Sequence, residues 1–312
     1  MAPMVARGGV DVSLSPNDKR EMVTQALDRI GFLPENVLLI PPDFTRFNSD
    51  AGPITALLYE LLGPDTRVDI MPALGTHEPM TPEQIRTMFG PDIPLERFFV
   101  HDWRHSLVKL GDIPGEEVRE WSEGKVEYSV AIEVNEKLFQ GYDLIVSIGQ
   151  IVPHEVVGMA NYTKNLCVGV GGADTINKSH FLGAVYGMER MMGRIETPVR
   201  RLFDAGASRF LSRLPVLYIQ TVMAKNPEDG TMDMKGLYIG RDRETFTEAA
   251  RLSQAVNLDL LSEPVDKIVV YLDPEEFKST WLGNKAVYRT RMAIADAGEL
   301  IVEIRRFRVL RR

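Results

Sequence analysis

At 312 residues, with 44% hydrophobic and 26% charged side chains, the chain has an ordinary globular composition and enough length for two medium cores. A formal net charge of −8 excludes a general affinity for nucleic acid or anionic membranes. No apolar run has the length of a membrane span or of a signal-peptide core, so a cytoplasmic location is the expectation. Cys167, the single cysteine, excludes an intramolecular disulfide and a multi-cysteine zinc centre, and its apolar neighbours suit a buried structural thiol.

In chain order, Ser15 precedes apolar residues at Met22, Val23, Ala26, Leu27 and Ile30, which is helical spacing behind a capping signal. Asn36 to Ile40 predicts a buried parallel strand, followed by Pro41-Pro42 and the cluster Asp43-Phe44-Thr45-Arg46. A helix is predicted over 52–62, a strand over 66–71, then Gly75-Thr76-His77, and a helix from the Thr81/Gln84 capping box to Phe89. Phe98 to Glu136 is polar and turn-rich and reads as a β-excursion. His101 and His105 in it have the spacing of a zinc pair on one helix face, but Trp103, Arg104, Gly111 and Pro114 speak against a helix there, so hydrogen-bonded loop histidines are expected.

The apolar strand Asp143 to Gln150 leads into the most chemically loaded stretch, Ile151 to His180, with His154, Lys164, the glycines 169, 171 and 172, and His180. After it, helix is predicted for 181–193, where Met188, Met191 and Met192 suit core packing, then strand for 214–222 and a turn-rich break at 226–233. Helix 243–255, strand 267–272, helix 285–297 and strand 299–304 follow. The terminal IRRFRVLRR, with five arginines, is expected to be a solvated end. The alternation predicts two α/β domains with mostly parallel or mixed sheets and an active-site cleft between them, divided as 1–190 and 191–312. In such folds ligands gather at the carboxyl ends of strands, where the clusters at 43–46, 75–77 and 150–154 fall.

The side chains in those clusters leave several chemistries open. Asp43, Thr45 and Arg46 suit a phosphate or carboxylate, or merely a turn with a surface arginine. His77 and His154 suit acid/base work or simple hydrogen bonding. Lys164 would be a nucleophile if buried, and His180 a ligand for a borderline metal. Gly169-Val170-Gly171-Gly172 matches neither dinucleotide nor P-loop spacing.

Taken jointly, DFTR, then LGTH, then Pro153-His154 with Lys164 ten residues on and His180 sixteen beyond it, resembles the nickel-dependent lactate racemase family. The resemblance runs from about Pro41 to His180 and more weakly to Gly298. It implies a nickel-pincer nucleotide, a pyridinium mononucleotide whose two thiocarboxyl arms clamp nickel, joined covalently to Lys164, with His180 ligating nickel. His77 and His154 would be the two acid/bases, and Asp43, Phe44, Thr45 and Arg46 would hold the cofactor, Arg46 also orienting the substrate. Residues 1–190 would then be the cofactor-binding and catalytic domain. The expected partners are a small 2-hydroxy acid and the cofactor's biosynthesis enzymes. In this chain Met159-Ala160-Asn161-Tyr162-Thr163 precedes the lysine where the family has a serine- and glycine-rich stretch, which points to a different pocket. Tyr288, Arg289 and Arg291 would contact substrate, the arginines favouring a diacid such as malate. The chain ends at Arg312, earlier than typical members, so a shortened second domain is expected. Two other readings stand beside this one: a Schiff-base enzyme using Lys164, and a non-catalytic nickel- or nucleotide-binding protein.

Overall fold

Four consecutive apolar residues, Val37 to Ile40, suit a strand covered on both faces, and all four are fully buried in the computed structural model, which describes residues 2–226, 228–274, 277 and 283–304. The strands are β1 (Val5–Gly8), β2 (Asn36–Ile40), β3 (Arg67–Ile70), β4 (Leu107–Ile113), β5 (Val130–Asn135), β6 (Leu144–Gln150), β7 (Pro153–His154), β8 (Gly158–Met159), β9 (Val216–Lys225), β10 (Met232–Gly240), β11 (Val265–Leu272) and β12 (Ile294–Ile304). A six-stranded sheet has the order β1-β10-β9-β6-β2-β3. Its middle is parallel (β3, β2, β6, β9), whereas β10 and β1 are antiparallel additions. The protein is thus a mixed α/β fold, as the alternation predicts.

Local signals explain the helices on one face. Helix α1 (Pro16–Ile30) and α3 (Pro82–Phe89) each start at a capping box, Ser15 with Asp18 and Thr81 with Gln84, and each has proline in its first turn. With α2 (Ala51–Leu62) they cover a core of Val23, Ile54, Leu58 and Phe89 against Val37, Leu39 and Ile148. On the opposite face Leu38, Ile40 and Ile145 pack with Tyr162, Leu166 and Phe246. The predicted β-excursion is the β4–β5 hairpin, joined through α4 (Gly115–Trp121). It packs with α5 (Ala173–Tyr186) and α6 (Pro198–Gly206) around Ile132, Cys167, Leu202 and Phe203.

Three expectations are corrected. The helix predicted from Phe181 begins at Ala173, so His180 lies two turns inside it. Met232 to Gly240, not foreseen as a strand, pairs along the whole hairpin with β9 and also with β1, because cross-strand hydrogen bonds with neighbours outweigh its two glycines. The helix predicted over 285–297 is the short α8 (Lys285–Thr290); from Ile294 the chain pairs in parallel with β11, a long-range partner that overrides local helical preference. Helix α7 (Arg243–Asn257) packs on β9 and β10. The boundary expected at residue 190 falls in the connection between β6 and β9, adjacent strands of one sheet, while β11, β12 and α8 form a small unit around Leu272, Phe277 and Ala286. The arginine-rich end, 305–312, lies outside the described residues. Among those described, no helix is long and apolar enough to cross a membrane.

The topology places a crevice. From β2 the chain passes to β3 on one side and then returns to β6 on the other, so the carboxyl ends of β2 and β6 flank a switch point. Asn165 spans that gap, its amide donating to Ile40 O at 3.2 Å and to Ser147 Oγ at 2.9 Å.

Candidate active site

Beyond β2, Pro41 and Pro42 offer no backbone donor, although Ala73 N–H still donates to Pro41 O at 2.8 Å, and Asp43 leads a 3-10 turn over Phe44–Ser49. Beyond β3, Gly75 takes φ +55° and donates its N–H to Gly169 O at 2.8 Å, which brings His77 back toward β2. There His77 Nδ1 meets Asp43 Oδ2 at 2.7 Å, and Thr45 donates through Oγ1 to Asp43 Oδ1 at 2.6 Å. Asp43 is 5% exposed. Burial works against its charge, yet the bond to His77, the His77 charge, Thr45 and Arg46 together hold its carboxyl below the usual range. An ionised Asp43 can only accept, so the neutral His77 ring carries its proton on Nδ1 and presents Nε2 as a lone pair.

His154 sits on the short β7 strand just past β6, and its ring is in the opposite state. The backbone N–H of Val156 donates to His154 Nδ1 at 3.1 Å, so the neutral ring carries its proton on Nε2. Burial first, and then the charges of Lys164, Lys285, His180 and Arg46, hold His154 well below the ordinary histidine value. It is neutral at pH 7.

Lys164 lies at the head of a turn of π-helix, Asn165–Gly169, and is drawn down to about 7 by burial, with Arg46 and Lys285 adding to the effect and Glu155 opposing it. Its ammonium makes no hydrogen bond or ion pair with a described residue, so among these only the charge of Glu155 offsets its desolvation. His180 donates from Nδ1 to Ile176 O one turn back on α5 at 2.6 Å, which leaves Nε2 free, and burial with Lys164 lowers its pKa. Two residues that the sequence reading did not select join this group. Lys285 is enclosed on α8, 3.5 Å from Glu155 Oε1, and Glu155 itself is 8% exposed. Lys285 lies one helical turn before Tyr288, and this i, i+3 relation was the signal that could have found it.

The other expected residues are placed as follows. Arg46 donates to Thr45 O and Thr45 Oγ1 at 3.2 and 3.3 Å while its charge reaches Lys164 and His154. The charge of Arg289, an exposed side chain, reaches Glu155. Arg291 is engaged on the surface with Glu189 at 3.2 Å, and Tyr288 is half-buried on α8. His101 and His105 do not share a helix face: His101 Nε2 donates to Gly171 O at 3.0 Å, and exposed His105 pairs with Asp102 at 2.9 Å. Cys167 is buried, its thiol pushed up to about 12 by desolvation, an inert structural group.

The glycine run is a packing device. A Cβ on Gly171 would lie 1.8 Å from Cys167 O, a backbone atom that cannot swing aside, and one on Gly172 would meet Glu133 at 2.5 Å. Gly171→Ala is therefore expected to destabilise the fold by about 2–4 kcal/mol, measured as a fall in the denaturant midpoint; a wild-type midpoint would show that the π-turn has room to yield.

A sequence model described as the lactate racemase N-terminal domain matches residues 19–192. The chain is 28% identical over 184 residues to the lactate racemase of Thermoanaerobacterium thermosaccharolyticum and 30% identical over 152 residues to that of Lactiplantibacillus plantarum. These matches cover 55% and 46% of this chain but only 40% and 32% of those relatives. In fold it is similar to a solved protein from Thermotoga maritima (TM-score 0.81, 23% identity, 94% of this chain and 71% of that one). It is also similar to the lactate racemase apoprotein of T. thermosaccharolyticum (TM-score 0.69, 18% identity, 96% and 69%).

Proposed function

We propose, from the premise that this chain belongs to the lactate racemase N-terminal domain family, that it inverts the carbinol centre of a 2-hydroxy acid, lactate or a diacid such as malate. The observation that carries this reading is two histidines in opposite tautomers beyond strands of one sheet, with the charge of Arg46 reaching both Asp43, the partner of His77, and His154. His77 is held as an acceptor by Asp43, and His154 is held as a donor by Val156.

The residues fit the nickel-pincer nucleotide that the family implies. The charges of Arg46, Lys164 and Lys285 reach one another, with Glu155 as the enclosed counter-charge, an excess of positive charge that suits a phosphate-bearing nucleotide and a carboxylate. Among the described residues no group of three or more His, Cys, Asp or Glu is gathered, so a metal held by His180 Nε2 would take its remaining donors from the nucleotide's sulfur arms. Lys164, neutral in good part near pH 7, would attach the nucleotide through its amine. When bound, the group supplies a place to which hydride from the substrate carbon is moved and from which it is returned.

The protein's own part is proton transfer and positioning. His77 Nε2 takes the hydroxyl proton, and ionised Asp43 stabilises the resulting imidazolium. Arg46 and Lys285 hold the carboxylate, and His154 gives its Nε2 proton to the product oxygen as its Nδ1 takes one from solvent, into which the His77 imidazolium releases the proton it took. For the mirror-image substrate His154 must accept at Nε2, which requires it to release the Val156 N–H and move its proton to Nδ1. His154→Gln is expected to lower turnover roughly 10²- to 10⁴-fold while leaving nucleotide and nickel content unchanged; full activity in that variant would remove His154 from the reaction.

The reading is tested with protein made alongside the cofactor biosynthesis enzymes, by intact mass, nickel content and chiral analysis of a 2-hydroxy acid panel. The expected result is a mass adduct lost in Lys164→Ala, with nickel and inversion accompanying it. An unmodified mass without nickel or turnover under those conditions would overturn it. The low pKa of Lys164 equally favours a Schiff-base enzyme, and release of a chromophore by hydroxylamine would identify that case.

A further inference from the structure

The unusual stretch before Lys164 is held from behind by α6 and α7. Met159, Asn161, Tyr162 and Thr163 are all buried, and Asn161 and Tyr162 have φ of +62° and +60°, two successive left-handed residues that each carry a Cβ. Such a turn persists only where its surroundings over-determine it. Here they do so through one side chain of α6. Arg200, 0% exposed, donates from Nη1 to Thr163 Oγ1 at 2.8 Å and from Nη2 to Met159 O and Asn161 O at 2.6 and 3.2 Å. Thr163 Oγ1 in turn donates to Asp204 Oδ1 at 2.5 Å, and Asn161 Nδ2 ties the turn to Gly149 O at the end of β6 at 2.9 Å. Tyr162 stacks on Phe246, ring centroids 5.2 Å apart, and the Arg200 guanidinium lies 4.4 Å from the centroid of that same ring. Asn165, the residue after Lys164, donates its N–H to Tyr162 O at 2.9 Å, so the clamp extends past the lysine.

We propose that Arg200 is the positioning residue of this site: its guanidinium locks the Met159–Thr163 turn and thereby fixes the direction and the enclosure of Lys164. Arg200 reaches three acceptors that point in different directions, a task suited to a planar fork of five N–H groups and not to a single ammonium. Its charge also adds, as the smallest of several causes, to the lowering of the Lys164 pKa. The assignment rests on Lys164 being the reactive amine of the proposed function, but its test reads only the ionisation of that amine and needs neither nickel nor turnover. A failed cofactor assay and a failed clamp are therefore separable.

The experiment is competitive acetylation of the cofactor-free full chain from pH 5 to 10, with Lys164 quantified by mass spectrometry and exposed Lys125 as the internal control. Wild-type Lys164 is expected to titrate at about 7. In Arg200→Met the midpoint should rise by about one unit or more, equivalent to tenfold in the neutral fraction at fixed pH, with Lys125 unmoved. Arg200→Lys should fail to restore the wild-type midpoint. Thr163→Val, a milder break in the same clamp, should shift Lys164 in the same direction, and it decides the matter if Arg200→Met does not fold. A merely structural arginine would move the midpoint in Arg200→Met only by its own small charge effect and would leave it at the wild-type value in Arg200→Lys and Thr163→Val. Folded Arg200→Met or Thr163→Val with the wild-type Lys164 midpoint would overturn the proposal.

Discussion

Lys164→Met is expected to abolish turnover and, in the same step, to stabilise the cofactor-free protein. The side chain's pKa is drawn from 10.5 to about 7 on folding, chiefly by burial without a partner. A lowered pKa means that the folded state binds a proton less readily than the unfolded chain, so protonation favours unfolding. The penalty is absent above the unfolded value, grows as pH falls through the window from about 10.5 to 7, and is constant below it. At pH 7 it is on the order of 4 kcal/mol. Methionine keeps the length of the side chain and removes the charge, so it should recover most of this amount. Urea unfolding at pH 7 should show a gain of a few kcal/mol that shrinks toward zero by pH 10. Equal stability of the two proteins at pH 7 would mean that the folded chain does not desolvate the amine. A functional lysine held at the expense of stability is what a trade between activity and folding predicts.

The parts of this arrangement that were legible in the sequence are those encoded over short range. The capping boxes at Ser15 and Thr81 and the apolar run at Val37–Ile40 name their elements because each signal is complete within a few residues. The three polar clusters beyond β2, β3 and β6 were legible as neighbours for a similar reason: in a parallel sheet they must share one edge. What was not legible depends on partners far away in the chain. Met232–Gly240 becomes a strand by pairing with β1, more than 220 residues earlier in the sequence. Lys285 joins the site through Glu155, 130 residues before it, and neither residue carries a motif of its own. Asn161-Tyr162, read as a determinant of the substrate, is buried against α6 and α7, because only the tertiary fold reveals Arg200 behind it. The helix around His180 was placed too late because the glycines before it look like a continuing loop, although Gly172 is its N-cap.

Asp43→Asn should leave the fold intact and remove the base. Asp43 now accepts on both oxygens, from Thr45 at Oδ1 and from His77 at Oδ2. An asparagine in the same place keeps its carbonyl on the Thr45 hydroxyl, whose oxygen already accepts from Arg46, and so turns its NH₂ toward His77. That NH₂ needs an acceptor, so His77 gives up its Nδ1 proton and carries it on Nε2, where the substrate hydroxyl should have found a lone pair. The expected loss in kcat is on the order of 10²- to 10⁴-fold, the range of a displaced general base and of the analogous aspartate change in serine proteases, with a much smaller effect on KM. The change should also remove one source of acid sensitivity. The lowered pKa of Asp43 contributes stability that is present above the unfolded carboxylate range and is lost as pH falls through the folded value. Nitrogen-15 chemical shifts of His77 separate the cause from simple damage: they should report the Nδ1–H tautomer in the wild type and Nε2–H in Asp43→Asn. Wild-type turnover accompanied by the altered tautomer would show that His77 is not the base. An unaltered tautomer with lost turnover would assign Asp43 to the charge of the imidazolium alone.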